Sequence, residues 1–328
     1  MTEKHPTLIL APLQGFTDVT YRQVYARHFK GIDLAMAPFI STMGEQRLKP
    51  SRIKDVAPDL NKNLFVIPQI LGNVAQDFIF LADHLFEMGH TQVNWNLGCP
   101  HSKIAKKQRG SGLLLYPDKI DQLLSKIIPG MKPSLSVKIR LGRRNKDEIN
   151  DLLAIFNTHK IDEVILHPRT GEQMYTGTSD HDAFEKALNA CDHPMVYNGD
   201  IVDMNSYNKV RHRFPNIDRI MIGRGILSNP FLAEEIKGID EDNSNQTQRL
   251  SRLKAFHDDL FAAYGEIFEG PGHLTGRMKG FWSYLGPSFK DHKKPLKKIL
   301  KSTTFKAYVD RVNAFFDLGL EFCPDRNE

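Results

Sequence analysis

Eight short runs of aliphatic and β-branched residues, separated by amphipathic stretches, restrict this chain to very few folds. The runs are Thr7–Pro12, Asp33–Phe39, Leu64–Leu71, Thr91–Asn96, Ser134–Arg140, Glu163–His167, Pro194–Asn198 and Arg219–Gly223. Between them, residues 75–88, 117–128, 147–159, 180–190 and 203–213 carry apolar side chains at helical spacing. A strand that is almost continuously apolar must be covered on both faces, which is the environment of a parallel sheet clothed by helices. Eight such units within about 230 residues suit a closed (β/α)8 TIM barrel better than an open doubly wound sheet. The fold class expected is therefore α/β.

The pattern breaks at residues 238–248 (GIDEDNSNQTQ), which are polar and lack apolar periodicity, as a linker does. Beyond it, 249–268 and 296–319 return to helical spacing, with LGPSFKDHKKP (285–295) as a turn-rich connection. The expected organisation is a catalytic barrel over 1–240 and an all-helical domain over 245–328. Charge follows the same division. Residues 246–312 hold 13 Lys and Arg against 6 Asp and Glu, a local charge of +7 in a chain whose total is +5. A near-neutral body with a basic appendage suits a polyanionic partner, although solvated helix faces explain such charge equally well.

Three cysteines (Cys99, Cys191 and Cys323) make no disulfide framework and point to a reducing compartment. The N-terminal MTEKHPTLILAPL is too short in apolar residues for a signal peptide, and no stretch reaches the roughly 18–20 apolar residues of a membrane span. A cytoplasmic protein is expected, with no membrane association.

In an α/β barrel the chemistry sits at the C-terminal ends of the strands, and phosphate commonly binds after the seventh and eighth. Here those ends read Asn198-Gly199-Asp200-Ile201 and Gly223-Arg224-Gly225. Glycines let backbone N–H groups approach a phosphate, and Arg224 offers a charged fork. One such turn is ordinary; two at these strands point to a phosphate-bearing ligand. Gln69, inside the apolar run LFVIPQILG, needs partners for its amide. Either the imide-like edge of a flat heterocycle such as a flavin or a buried structural hydrogen bond would serve. Lys138, between Val137 and Ile139, needs a counter-charge, and beneath a flavin it would stabilise the anionic reduced form. His167-Pro168-Arg169-Thr170 presents an imidazole and a guanidinium at the mouth.

The fourth strand runs into Asn94-Trp95-Asn96-Leu97-Gly98-Cys99-Pro100. A thiol with a pKa of about 8.5 stays protonated at neutral pH and can act as an acid. Asn96 can hold a carbonyl or amide edge. Taken alone, Cys99 reads equally as a small buried hydrophobe. Two basic loops follow: Lys103, Lys106, Lys107 and Arg109 after the fourth strand, and Arg140, Arg143, Arg144 and Lys146 after the fifth. Both belong to the active face, where a basic rim suits an RNA backbone.

Assembled, these residues resemble the tRNA-dihydrouridine synthases. The matching segments are APLQGFTD (11–18), PQILG (68–72), NLGCP (96–100), GSGLLL (110–115), SVKIRLG (136–142), HPRTGEQMYTG (167–177), NGDI (198–201) and MIGRGILSNP (221–230). They keep the family's order across the whole barrel. GRMKGFWSYLG (276–286) is most like the bacterial C-type branch. The resemblance implies FMN held by Pro12, Leu13, Gln14, Gln69, Lys138, His167, Asn198, Gly199, Asp200, Gly223 and Arg224. It implies Cys99 as general acid, Asn96, Lys103 and Arg169 at the substrate, NADPH as reductant and no metal. The partner implied is tRNA, bound at its D loop and elbow by a monomer, with uridine 16 the target of the C-type branch. Asn94 and Trp95 depart from the family's usual acidic and aliphatic pair, and Trp95 is expected to crowd the barrel core or the flavin's surroundings. A flavin-dependent reductase of a small metabolite and a non-catalytic tRNA-binding flavoprotein are the alternatives.

Overall fold

The computed structural model describes residues 5–239 and 245–324. The strands are β1 (Thr7–Leu10), β2 (Leu34–Met36), β3 (Ile40–Ser41), β4 (Phe65–Ile67), β5 (Gln69–Leu71), β6 (Gln92–Asn96), β7 (Ser134–Gly142), β8 (Val164–Thr170), β9 (Met195–Tyr197) and β10 (Arg219–Ile222). All pair in parallel, in the order β3-β5-β6-β7-β8-β9-β10-β1-β2-β4. These ten strands make eight staves, because β2 with β3 and β4 with β5 are single staves in two pieces. Pro68, which has no N–H to donate, separates β4 from β5, and Pro38 lies between β2 and β3. Since β2 pairs with β4 and β3 pairs with β5, the ring closes into the expected (β/α)8 barrel.

The helices are α1 (Val19–His28), the one-turn α2 (Pro50–Ile53), α3 (Ala75–Glu87), the one-turn α4 (Ser102–Ala105), α5 (Pro117–Gly130), α6 (Glu148–Phe156), α7 (His181–Ala190), α8 (Met204–Arg213), α9 (Arg224–Ser228) and α10 (Leu232–Lys237). Local chemistry starts several of them. Asp18 caps α1 by accepting from the Tyr21 N–H, Asp180 does the same for α7 from Ala183, and Asp203 with Ser206 forms a capping box on α8.

Two apolar clusters divide the barrel. The larger lies between strands and helices; the smaller, of Ile9, Ala11, Met36, Ile67, Ile165, Val196 and Met221, fills the lumen. Side chains alternate along a strand, so these clusters assign every other residue a direction. On β6, Val93 and Trp95 face the helices and Asn94 and Asn96 the lumen. On β7, Leu135, Val137, Ile139 and Leu141 face out, which turns Ser136, Lys138 and Arg140 inward. One side of the lumen is therefore apolar and the other polar. Trp95 does not crowd the lumen. It packs edge-on against Phe78 of α3 at 5.6 Å and donates to the Gly72 carbonyl at 3.0 Å.

Residues 240–244, the middle of the expected linker, fall outside the described residues. From Gln246 the chain is helical: α11 (Gln246–Gly265), α12 (Pro271–Leu285), α13 (Lys293–Leu300) and α14 (Phe305–Asp317). The stretch 296–319, expected as one helix, breaks at 301–304, where Thr304 caps α14. α11 lies along α1, with Phe256 edge-on to Tyr21 and Tyr25, while Arg252 donates to the His28 carbonyl and bridges to Glu234. Among the described residues no helix is long and apolar enough to cross a membrane, and no group of three or more potential metal ligands is assembled.

Candidate active site

A cleft of about 590 Å³ opens at the C-terminal ends of the staves. The barrel supplies most of its lining, and Tyr284 of α12 joins it beside Phe16. Of the residues expected to hold a cofactor, Pro12, Leu13, Gln14, Lys138, His167, Asn198, Gly199, Asp200, Gly223 and Arg224 line it, as do Asn96 and Cys99. Gln69, Lys103 and Arg169 do not.

Gln69 is fully buried and satisfied within the protein. Its amide nitrogen donates to Asn94 Oδ1 at 2.8 Å and its oxygen accepts from Asn96 Nδ2 at 2.7 Å. Asn94 in turn donates to Ser136 Oγ at 2.9 Å. This relay of amides ends on the reactive loop, because Asn96 Oδ1 accepts from the N–H groups of Gly98 and Cys99 at 3.1 and 2.9 Å. The glutamine in this strand is thus held by structural hydrogen bonds. Asn96 lines the cleft, but two of its hydrogen bonds set the Cys99 turn and a third anchors it on Gln69. The GSG that follows completes the loop. Ser111 donates both N–H and hydroxyl to the Cys99 carbonyl at 3.0 Å, and a Cβ on Gly110 (φ 55°) would lie 2.8 Å from that carbonyl oxygen.

Burial pushes the Cys99 thiol above its usual pKa, with the His101 N–H, Arg140 and Lys138 opposing in part. Cys99 is consequently a neutral thiol at physiological pH. Lys138, next to Cys99 in the electrostatics of the site, is pushed down to about 7, first by burial and then by Arg140. The carboxylate expected to balance it is absent: among the described residues none lies within ion-pair distance of Lys138. A half-buried lysine at a cleft without a counter-charge is matched to an anionic or electron-rich ligand.

The opposite wall is ionic. Arg169, expected at the mouth, is buried below it. Its fork grips Asp200 at 2.8 and 2.6 Å, and its remaining donors reach the Thr176 and Gly177 carbonyls and Ser179 Oγ. No donor is left over for a substrate. Asp200, which takes the left-handed backbone (φ 43°), also accepts from the Ser179 N–H and from Arg224. Burial would raise its pKa, but the bonds from Arg169 and Ser179 outweigh it and hold the carboxylate below its usual value. Burial and the surrounding cations keep His167 neutral, so its Nε2 accepts from Arg169 at 3.0 Å.

Three residues of the cleft carry more than the sequence suggested. Arg140 is not part of a basic rim: it is buried, donating to the Gly98, Thr170 and Met174 carbonyls while lining the cleft. Period-two alternation from Lys138 points it there. Tyr175 lies under two cations, 5.4 Å from Arg140 and 4.8 Å from Arg224. Tyr284 comes from the helical segment. Of the remaining basic loop residues, Lys103, Lys106 and Lys107 are exposed, Arg143 donates to the Pro100 carbonyl, and Lys146 pairs with Asp180. A second hollow, of about 550 Å³, lies outside the mouth, where Lys146 and Arg213 are already paired with Asp180, Asp182 and Glu185.

Lys138, Arg140 and Arg224 against a single, already paired carboxylate make this an anion-seeking cleft with a neutral acid on its rim. A closed parallel barrel with such a mouth defines the class, a TIM-barrel enzyme acting on or through an anionic ligand. Solved structures agree on the fold. A 2-naphthoyl-CoA reductase complex superposes with a TM-score of 0.54 at 10% identity, covering 70% of this chain and 50% of that one. A morphinone reductase mutant bound to tetrahydroNAD gives 0.51 at 9% identity, covering 70% and 86%. The sequence is more specific, matching the description "Dihydrouridine synthase (Dus)" over residues 9–319. A "Probable tRNA-dihydrouridine synthase" of Staphylococcus epidermidis is 30% identical over 80% of this chain and 80% of its own. The "tRNA-dihydrouridine synthase B" of Vibrio vulnificus is 29% identical over 85% and 82%. The chain belongs to the dihydrouridine synthase family. It is a flavin-dependent oxidoreductase of that family.

Proposed function

We propose that the protein reduces a uridine in the D loop of tRNA to 5,6-dihydrouridine, with FMN as its flavin and NADPH as reductant. The observation that carries this reading is the pairing of a neutral, cleft-lining thiol with a half-buried lysine that has no counter-charge. The residues fit the cofactor. Lys138 would face the electron-rich ring, Pro12, Leu13 and Asn198 would bound it, and Gly199, Gly223 and Arg224 would receive the phosphate, with Asp200 and His167 held ready by Arg169. When bound, FMN supplies the hydride for C6 of the uracil and NADPH restores it.

Everything else falls to the protein. The target base must leave its stack, at a cost on the order of a few kcal/mol, and the aromatic edge of Phe16, Tyr175 and Tyr284 is placed to receive it. Asn96 fixes the loop so that Cys99 Sγ presents its proton to C5. Burial keeps that proton on sulfur until the base arrives, and Arg140 and Lys138 stabilise the thiolate once it has gone. The basic face of the helical segment, Lys293, Lys294, Lys297 and Lys298 on α13 among it, is the domain that takes the tRNA backbone. The resemblance of 276–286 to the C-type branch makes uridine 16 the target, although relatives with a subtype letter include the B type. We further read the protein as a cytoplasmic monomer.

The rival reading, reduction of a small metabolite on the same barrel, predicts no dependence on RNA. Mapping dihydrouridine in tRNA from a strain lacking this protein separates the two: loss at position 16 alone supports the proposal, and an unchanged profile contradicts it.

A further inference from the structure

The helical segment reaches the mouth of the barrel at the loop leaving β1, residues 11–18. Leu13 and Gln14 of this loop line the cleft. The base of the loop is tied within the barrel, where Thr17 Oγ1 donates to the Ala11 carbonyl at 2.9 Å and accepts from the Leu13 N–H at 2.8 Å. The tip is tied from α11 and α12 instead. Arg277 Nη1 donates to the Gly15 carbonyl and stands 3.7 Å from Asp18 Oδ2. The Tyr264 hydroxyl donates to Asp18 Oδ1 at 2.7 Å. Phe16 meets Phe281 and Tyr284 edge-on at 5.4 and 5.1 Å. Gly280 makes room for it: a Cβ there would lie 3.2 Å from the Phe16 ring.

We propose that Arg277 is a positioning residue for the flavin: bridging Gly15 and Asp18, it holds the Leu13–Gln14 turn in the shape that grips the cofactor. The helical segment is then part of the cofactor site and not solely a handle for RNA. Gly15 is left-handed (φ 82°), and the donor that its carbonyl meets is Arg277, from outside the barrel. A turn without that donor samples more conformations, and a ligand that needs one of them binds more weakly in proportion. A phosphate-binding role for Arg277 is disfavoured by its surroundings. Its guanidinium stacks over Tyr264 and Phe268 at 5.3 and 5.2 Å, with Nη1 committed to Gly15 and Asp18. This inference rests on the cleft being the flavin site.

The test uses full-length protein, freed of flavin and titrated with FMN by fluorescence quenching, with melting of the flavin-free protein measured alongside. Arg277→Met keeps the apolar stem and loses both polar contacts; its FMN dissociation constant is expected to rise roughly tenfold, the equivalent of one or two hydrogen bonds. Arg277→Lys keeps the charge near Asp18 and should recover part of that loss. Tyr264→Phe removes one bond to Asp18 and should weaken FMN about threefold. A purely adhesive role predicts lower melting temperatures with FMN affinity within about twofold of the parent, and that result overturns the proposal. Should Arg277→Met fail to fold, Tyr264→Phe decides alone, since unchanged affinity there overturns it equally. Lys138→Met run in parallel separates the two readings. If it weakens FMN and Arg277→Met does not, the positioning role fails; if neither does, the flavin site itself is misplaced.

Discussion

The two walls of the cleft are held by opposite means. Around Cys99 the fastening is mostly neutral, an amide relay from Gln69 through Asn94 and Asn96 with Ser136 and Ser111 at its ends, to which Arg140 and Arg143 add bonds to the Gly98 and Pro100 carbonyls. Around Asp200 it is ionic, a buried arginine fork backed by a second arginine. The contrast follows from what each wall must keep constant. An acid must retain its proton until it reacts, and at Cys99 burial outweighs the pull of Arg140 and Lys138 and keeps the proton on sulfur. An anion site must be positive before the anion arrives, and Asp200 orders its arginines without cancelling them.

Breaking the ionic wall should have the largest structural effect. Arg169→Met leaves the half-buried Asp200 carboxylate without its principal partner, and losing those charged hydrogen bonds costs about 3 kcal/mol. Denaturant unfolding of the flavin-free protein measures this, and a loss below ~1 kcal/mol would mean the fork is only a surface pair. The same wall has a pH signature. Because the folded Asp200 pKa lies below its usual 3.8, its contribution is present above that value and fades as pH falls through the lower folded one. Acid unfolding of Asp200→Asn should lack that step.

On the neutral wall the effect is chemical. Cys99→Ala should keep its yellow colour while dihydrouridine formation falls by about 10²–10⁴-fold; equal activity would remove Cys99 from its role. In the parent, the decline of rate that comes from ionising this thiol should fall above its usual value of 9.0, because burial raises it.

Lys138 belongs to neither wall and sharpens the difference. Its folded pKa of about 7 lies below the usual 10.5, so the folded state gives up its proton first and stability rises with pH between those values. Lys138→Met should weaken FMN, yet stabilise the flavin-free protein near neutral pH by about 1–4 kcal/mol. A destabilised variant would show that Lys138 has a partner within the fold.

The smallest effect belongs to the far end of the relay. Asn94→Ala should cost about 1–3 kcal/mol through the groups it leaves unpaired and slow turnover by loosening the Cys99 loop, with FMN affinity unchanged. A variant that lost flavin instead would place Gln69 against the cofactor.

How much of this could be read from the chain depends on how local its causes are. The staves were legible because burial on both faces writes itself as unbroken apolar runs. The cleft-lining glycines and Cys99 were legible from where those runs stop. α1 was not: its sequence VTYRQVYARH is polar on average, and it is held by Tyr21 and Tyr25 against α11 and by buried Arg22, which binds Asp55 and Asn61 far along the chain. α12 was missed for a similar reason. Gly272, Gly276 and Gly280 argue against a helix locally, while Phe281 and Trp282 secure one by packing. The partners of Arg169 and Gln69 were not legible because they lie 31 and 25–27 residues away, and no local pattern records that a polar group is already satisfied.

The most direct measurement is incubation of purified protein with dihydrouridine-free tRNA, FMN and NADPH, followed by position-resolved detection of dihydrouridine. The expected result is dihydrouridine at position 16 of the D loop, formed by the parent and absent with Cys99→Ala although that variant retains its flavin. NADPH oxidation that leaves the tRNA unmodified would contradict it.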